Sequence, residues 1–510
     1  MRPSFSAFLT ATLCTTALAA QPRGTQPGTL VNPLSPADRC TECHAGQMTS
    51  TGERYMAADT WGASMMANAA RDPLFLATLT AAEQDSAGVG TLCLRCHTPS
   101  GFTGGRATPG TGARLDGVEG DLDGVHCDTC HRSIIPAGVA GAPFIGNAQL
   151  YFSDAPTDMI PPRFGPREDP AASPRHPSMA SAFIRDPRQC GQCHDIDHPA
   201  NHRLTATGMD TGAPFPLQST YTEWSQSDYA RRATPQTCVM CHMTEVTGEM
   251  LQSARIAWAP ARPGLRRHDL LGANEWGMAM LRAAYPGERD AEYDAMRVRI
   301  RAYLRTSARL EIMSPPTTGA AGSTVQLRVR VTNLSGHKLP TGYEDARLMW
   351  LQVQAGDTVV SGAFTNDELV EDAQARIYRF QAGRIEGGRV VASDFVVRHQ
   401  VVIEDTRIPP LGMRADARTA PVGRDYGGNP DGTLRNYDDA TFNVTLPATL
   451  GPTTLTVRLM YRTTTKHYVE TIAGANRTDS RGRELLAAWN ASGRAAPFSV
   501  AEATAMVMVT

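Results

Sequence analysis

Ten of the 11 cysteines in this 510-residue chain stand in five copies of one short motif, and that repetition constrains the fold more than any other feature. The copies are Cys40/Cys43-His44, Cys93/Cys96-His97, Cys127/Cys130-His131, Cys190/Cys193-His194 and Cys238/Cys241-His242. Cys-x-x-Cys-His is the attachment signature of c-type haem. Two thiols about one helical turn apart reach the two vinyl groups of one porphyrin, and the adjacent imidazole falls under the iron. A thioredoxin-like pair would occur once and would not need the histidine. A structural zinc site draws its ligands from two pairs, so five pairs leave one unmatched. The pattern implies five haem c groups, each with its iron, held by those ten cysteines. His44, His97, His131, His194 and His242 are then the proximal iron ligands.

The N-terminus reads as a secretory signal over residues 1–20. Arg2 supplies the positive charge, Phe8 to Leu18 a mostly apolar stretch, and Ala17-Leu18-Ala19 the small residues of a cleavage site. Cys14, the cysteine outside the motifs, leaves with that segment, and Ala11-Thr12-Leu13 before it do not suit a lipid anchor. No later segment approaches the ~20 apolar residues needed to span a bilayer. The mature chain is expected to be exported, to the periplasm or the outer surface. Lys plus Arg number 49 against 51 for Asp plus Glu, without the basic surplus of a nucleic-acid binder.

The motifs occupy residues 40–242 at uneven intervals of 53, 34, 63 and 48 residues, first cysteine to first cysteine, so they are not a regular repeat. The sequence between them is rich in Gly and Pro, with short helical patches at Trp61 to Ala70 and Leu74 to Glu83. Residues 21–274 therefore read as a pentahaem domain, mainly helical and irregular, wrapped around its haems. From 275 to 308 the texture is a helical bridge. Met278, Leu281, Met296, Ile300 and Leu304 recur at helical spacing, with a break at Pro286. Residues 309–510 switch to a period of two. Val325, Leu327, Val329 and Val331 alternate with polar residues, as do Leu455, Val457, Leu459 and Tyr461. Further strands are expected at Leu348 to Val353, Arg376 to Phe380, Phe395 to Ile403 and Thr441 to Leu446. This half reads as an antiparallel β-sandwich without cysteine, making the whole α+β.

Several stretches resemble exported multihaem (pentahaem) c-type cytochromes that carry a β-rich C-terminal domain. They include Trp61-Gly62-Ala63-Ser64-Met65-Met66-Ala67, Ala70-Arg71-Asp72-Pro73-Leu74-Phe75, Gly124-Val125-His126-Cys127 and Cys241-His242-Met243. In the C-terminal half they are Gly336-His337-Lys338-Leu339-Pro340-Thr341-Gly342 and Asp405-Thr406-Arg407-Ile408-Pro409-Pro410. The resemblance implies electron transfer, and some relatives are multihaem oxidoreductases. Many such proteins present a distal histidine in a Trp-x-x-Ser-x-His-Ala segment, where this chain has Met66. A Met ligand would raise that haem's potential, and core packing is the other reading of Met65 and Met66.

A low-spin haem needs a second axial ligand. Besides Met66, the distal candidates are His126, His176, His268 and His337. His268 opens a His-Asp-Leu-Leu-Gly-Ala-Asn segment that resembles one supplying such a ligand. His126 directly precedes a haem cysteine and could reach a neighbouring haem but hardly its own. His337, in a Gly/Pro-flanked loop, either reaches back to a haem or fixes that loop. His198 and His202 are four apart with Pro199 between them, and a surface role explains them equally. His399 and His467 lie in strand-like segments, in core or surface roles.

Electron transfer among redox protein partners is the function these features favour, with no catalytic residue assigned. The alternative is an oxidoreductase acting on a small inorganic nitrogen or sulfur substrate at one open-site haem. A third reading makes the β-rich half a binding module. A nucleophile elbow, a His-Glu-x-x-His zinc motif, a phosphate loop and a dinucleotide fingerprint are all missing from the sequence.

Overall fold

The computed structural model describes residues 23–256 and 258–510, so the expected signal segment lies outside the described residues. Each attachment motif lies on or beside a helix of one or two turns. Four of these helices are Asp38–His44, Gly90–His97, Cys127–His131 and Cys238–His242, while the fourth motif begins on Pro187–Gly191. Local chemistry sets such turns. Asp186 precedes Pro187 and accepts from the Arg188 amide, a capped helix start with proline at its first position. The longest helix of this half, Pro73–Asp85, begins the same way, with Asp72 accepting from the Leu74 and Phe75 amides.

One expectation fails in this half. Trp61 to Ala70 is not a helix; the helix Ala57–Trp61 ends there and turns follow. Gly62 and the Ser64 and Asn68 side chains redirect the backbone, with the Asn68 amide donating to the Gly62 and Ser64 carbonyls. The half also carries short sheets. Ile196–Leu204 and Asp210–Gln218 form an antiparallel hairpin, and Arg163–Gly165 pairs in parallel with Ser178–Ala180. Its apolar clusters are small and several abut motif cysteines. Leu34, Ala148, Leu150 and Phe152 pack with Cys96 and Cys193; Leu79, Leu94, Phe102 and Ala107 with Cys93; Ala37, Trp61 and Ala67 with Cys127.

Helices Glu275–Ala284 and Asp290–Leu304 stand on either side of Pro286. The first has apolar residues on two faces. Met278 and Leu281 join the large β-rich core, whereas Trp276, Ala279 and Met280 pack with Ala77 of the Pro73–Asp85 helix.

The C-terminal half contains a sheet in the order Arg376–Tyr378, Leu348–Ala355, Gly451–Arg462, Phe498–Val509 and Thr318–Gly319, with Thr358–Ser361 beside Leu348–Ala355. A second sheet runs Tyr437–Thr445, Thr324–Asn333, Ala308–Met313. Alternation explains how both contribute to one core. Leu327, Val329 and Val331 meet Phe442 and Val444 there, together with Leu351, Val353, Leu455, Val457 and Leu459 of the first sheet. A third sheet joins Arg389–Ala392, Phe380–Glu386 and Val401–Asp405.

Four features depart from the expected all-antiparallel half. Helices Lys466–Ala475 and Arg481–Ala491 interrupt it, and His467 lies on the first of them, not on a strand. The Phe498–Val509 strand pairs in parallel with Thr318–Gly319. The segment Phe395 to Ile403 begins as a short 3-10 turn, and strand starts only at Val401. The two C-terminal helices dock on the bridge and on the motif-bearing half: Trp489 meets Trp276 of the Glu275–Ala284 helix edge to face at 5.2 Å, and the Thr80 hydroxyl donates to Asp479 at 2.7 Å.

Candidate metal centres

The five motifs converge. The Cys40 thiol lies against Cys127, Cys96 against Cys193, and Cys190 against Cys238, while Cys130 neighbours both Cys190 and Cys193. The imidazoles follow the same order, His44 near His131, His97 near His194, and His194 near His242. Burial pushes the Cys93 thiol up to about 12 and the Cys130 thiol up to about 11. These are apolar sites, unlike the electropositive settings that lower a reactive thiol.

Four of the ten motif cysteines, Cys93, Cys96, Cys127 and Cys193, join the small apolar clusters. The contact of the first motif with the third runs through Cys40. Beside Cys43 the cover is polar backbone: its carbonyl accepts from the Ala254 amide at 2.7 Å, and the Gln252 carbonyl sits against His44.

The partners of the ring nitrogens place 11 of the 13 histidines in two sets. A metal-binding imidazole normally donates its second ring N–H to a carbonyl or carboxylate, which fixes the ring and leaves the other nitrogen for the metal. Four proximal candidates place Nδ1 on a backbone carbonyl: His44 on Gln252 at 2.9 Å, His97 on Ala69 at 2.9 Å, His131 on Phe164 at 2.7 Å and His242 on Leu271 at 2.5 Å. Three distal candidates do the same: His176 on Pro177 at 3.1 Å, His268 on Arg266 at 3.0 Å and His337 on Lys338 at 3.1 Å.

The remaining histidines are used otherwise. Nε2 of His198 faces the Val397 carbonyl at 3.2 Å, and its Nδ1 accepts from the Ala200 and Asn201 amides. His399 is buried with Nε2 on the Ser393 carbonyl at 2.8 Å, while His202 and His467 are exposed and pair with Asp210 and Asp394.

Two opposed pairs stand out. The rings of His131 and His268 are 6.2 Å apart between centroids and 21° from parallel; those of His242 and His337 are 6.2 Å apart and 19° from parallel. That separation is too wide for face stacking. A metal–imidazole bond is about 2 Å and a ring nitrogen lies about 1 Å from its centroid, so rings on opposite sides of one metal stand roughly 6 Å apart. Burial lowers both distal members to about 4, so the neutral, metal-binding form prevails at pH 7. Burial likewise takes His97 and His194 down to about 4.

His176 neighbours both His44 and His131. His126 is 1% exposed, and neither of its ring nitrogens has a hydrogen-bond partner. An orphaned buried imidazole is costly unless something else binds it. Met66 is only half-buried, in the turn whose Ala69 carbonyl holds His97, and its own carbonyl accepts from the Val125 amide.

Several contributors had no sequence signature. The carbonyls of Gln252, Ala69, Phe164 and Leu271 are backbone atoms that any residue could supply. Tyr303, on the Asp290–Leu304 helix, brings its hydroxyl to 3.5 Å from His242 Nδ1. Phe75 stacks on the His97 ring at 3.6 Å.

Haem fits these residues better than a bare ion does. Among the described residues no three His, Cys, Asp or Glu side chains gather to hold a metal. Facing imidazoles with no further side-chain donors between them would suit a group that brings its own donors, and thiols inside small apolar clusters would suit a flat hydrophobic one.

No curated protein matches the chain. Across 93% of this chain and 100% of that chain, it resembles a penta-heme cytochrome c552 from Thermochromatium tepidum at 17% identity and a TM-score of 0.49. A structure described as AvmM, which catalyses macrocyclization in alchivemycin A biosynthesis, matches 31% of this chain and 74% of that chain at 12% identity and a TM-score of 0.13. Neither likeness is strong enough to carry an argument. Residues 39–132, which span the first three attachment motifs, match the family model for cytochrome c554 and c-prime. With that pattern and the same motif repeated twice more beyond it, the chain is similar to multihaem c-type cytochromes.

Proposed function

We propose that this chain is an exported electron carrier with five haem c groups, attached at Cys40/Cys43, Cys93/Cys96, Cys127/Cys130, Cys190/Cys193 and Cys238/Cys241. In this reading residues 21–274 form the haem domain, 275–308 bridge it, and 309–510 form a β-sandwich-like domain. His44, His97, His131, His194 and His242 are the proximal ligands. His268 is opposite His131, and His337 opposite His242. His176 is assigned to His44, the remaining motif histidine in its neighbourhood. The orphaned nitrogens of His126 mark it as a ligand to a neighbouring motif, whereas Met66 gains no support from its surroundings.

The observation that carries this reading is the opposed pair of rings at 6.2 Å, seen at two motifs, with each Nδ1 already held by a carbonyl. Bound there, haem supplies a one-electron carrier whose potential follows its axial ligands and burial. The protein's part is to hold the motifs in contact. The first touches the third, the third touches the fourth, and the fourth touches both the second and the fifth. That gives a continuous route from first to fifth with the second as a branch. Redox proteins are the partners this arrangement serves. Optical and EPR spectra of protein from a host that matures c-type cytochromes test the reading. Low-spin bis-histidine signals that change on reduction are expected, and protein without a haem band contradicts it.

A further inference from the structure

Five ionisable side chains are buried together where the Thr220–Ser225 helix of the motif-bearing half meets the β-rich half. Glu223, Lys338, Glu344, Asp405 and Arg407 are each less than 5% exposed. Three carboxylates face two cations, so the fully ionised cluster carries one uncompensated negative charge. In a buried site such an excess is expensive.

The contacts single out which carboxylate bears it. Asp405 accepts from Lys338 Nζ at 2.5 Å and twice from the Arg407 guanidinium, at 2.8 and 2.9 Å. Glu223 accepts from Arg407 at 2.9 Å and from the Lys338 amide at 3.1 Å. Glu344 has only Arg407 Nη1 at 2.9 Å, with the N–H not aligned for a hydrogen bond, and a long contact from the Ser219 amide at 3.4 Å. It is the least supported of the three. Burial accordingly pushes Glu344 up to about 8 against the pull of Arg407, with Glu223 and Asp405 adding to the rise. Burial also works to raise Asp405, but Arg407 and Lys338 outweigh it and hold it at about 2. Arg203, on the Ile196–Leu204 strand, adds a further positive charge toward Asp405.

The cluster lies between two iron-ligand candidates. Lys338 follows His337 in the chain, and Arg407 is near enough for His337 to feel its charge. On the other side, the Tyr221 amide, two residues before Glu223, donates to the His194 carbonyl at 3.0 Å. Glu344 itself touches neither histidine in any hydrogen bond. A polar file leads outward from it: Ser219 Oγ meets Arg418 Nε at 3.1 Å, the Thr220 and Thr341 hydroxyls meet at 2.9 Å, and Arg418 pairs with half-exposed Asp197.

We propose that Glu344 takes up one proton from solvent when the haem centre at His242 and His337 takes up one electron, so that the protein couples proton binding to electron transfer. This rests on the haem reading above. The step balances as one electron reducing ferric to ferrous iron, delivered by a one-electron donor, and one proton converting the Glu344 carboxylate to the acid. Loss of a positive charge at the iron weakens the electrostatic hold on the nearby carboxylate, which then binds a proton more tightly.

The test is a spectroelectrochemical titration of the holoprotein from about pH 6 to about pH 9, in wild type and Glu344→Gln. The component to follow is the low-spin signal that His337→Ala removes. Its potential is expected to fall with rising pH in wild type, by up to a tenfold change in equilibrium constant per pH unit (about 59 mV), and to lose that slope in Glu344→Gln. An equal slope in both overturns the proposal. Redox-difference infrared spectra of the wild type keep it testable if the variant does not fold. A protonated-carboxyl band must grow on reduction, and its absence also overturns the proposal. Failure of the haem reading looks different: the purified protein would show no haem band, and failure of the His337 assignment alone would leave every low-spin signal in place in His337→Ala.

Discussion

His337, on a loop of the β-rich half, faces His242 of the fifth attachment motif with their ring centroids 6.2 Å apart. The β-rich half thus contributes a side chain to a site built on the motif-bearing half, beside Tyr303 of the Asp290–Leu304 helix. His337→Ala is expected to convert one low-spin haem to high spin, visible by EPR and in the optical spectrum. His202→Ala, at an exposed residue paired with Asp210, should leave both spectra unchanged.

The contact order of the motifs predicts different effects of deleting two of them. Replacing Cys190 and Cys193 by serine removes the junction between the third and fifth motifs. Electron passage from first to fifth should slow by at least about tenfold, roughly 1.4 kcal/mol of added barrier. The same change at Cys93 and Cys96 removes a branch and should spare that passage. Stopped-flow reduction followed at the fifth centre distinguishes them.

Stability should depend on pH from both sides of the buried cluster. Asp405 sits at about 2, below its ordinary 3.8, so its contribution is complete above 3.8 and is lost as pH falls through 2. Glu344 sits at about 8, above its ordinary 4.5, so its contribution is complete below 4.5 and is lost as pH rises through 8. Thermal melts should show their highest midpoint between these limits, and Glu344→Gln should flatten the alkaline limb.

Lys338→Met leaves Asp405 without its 2.5 Å partner in a buried site. Breaking such a pair costs about 3–5 kcal/mol. Leu459→Ala, at a fully buried residue shared by the two large sheets' core, should cost about 2–5 kcal/mol. Chemical denaturation monitored by the β-rich half's circular dichroism measures both, and losses below about 1 kcal/mol would show that these sites relax.

The parts legible in the sequence were those with a short-range signal. Cys-x-x-Cys-His is contiguous, and Val325 to Val331 and Leu455 to Tyr461 alternate clearly, within strands Thr324–Asn333 and Gly451–Arg462. The motif is silent on surroundings, however: Cys43 and Cys96 hold the same place in it, yet Cys96 packs in an apolar cluster and Cys43 does not. The long strand Phe498–Val509 went unread because its alternating positions include Ala501, Ala503 and Ala505, too small to mark a buried face. Helices Lys466–Ala475 and Arg481–Ala491 were hidden by the β texture around them. Choosing among spare histidines depends on where Nδ1 and Nε2 point. That is set by carbonyls such as Arg266 and Lys338 and by Asn201, whose amide donates to His198 Nδ1. Likewise, Lys338, Asp405 and Arg407 stand in motif-like strings, but only the tertiary fold brings Glu223 and Glu344 against them.

Intact-mass spectrometry of the mature protein, expressed in a host that attaches haem c, tests the central claim most directly. The account predicts the polypeptide mass plus five haems, with no thiol free to react among the ten motif cysteines, Cys43 included. A mass equal to the polypeptide alone, with those thiols titratable, contradicts it.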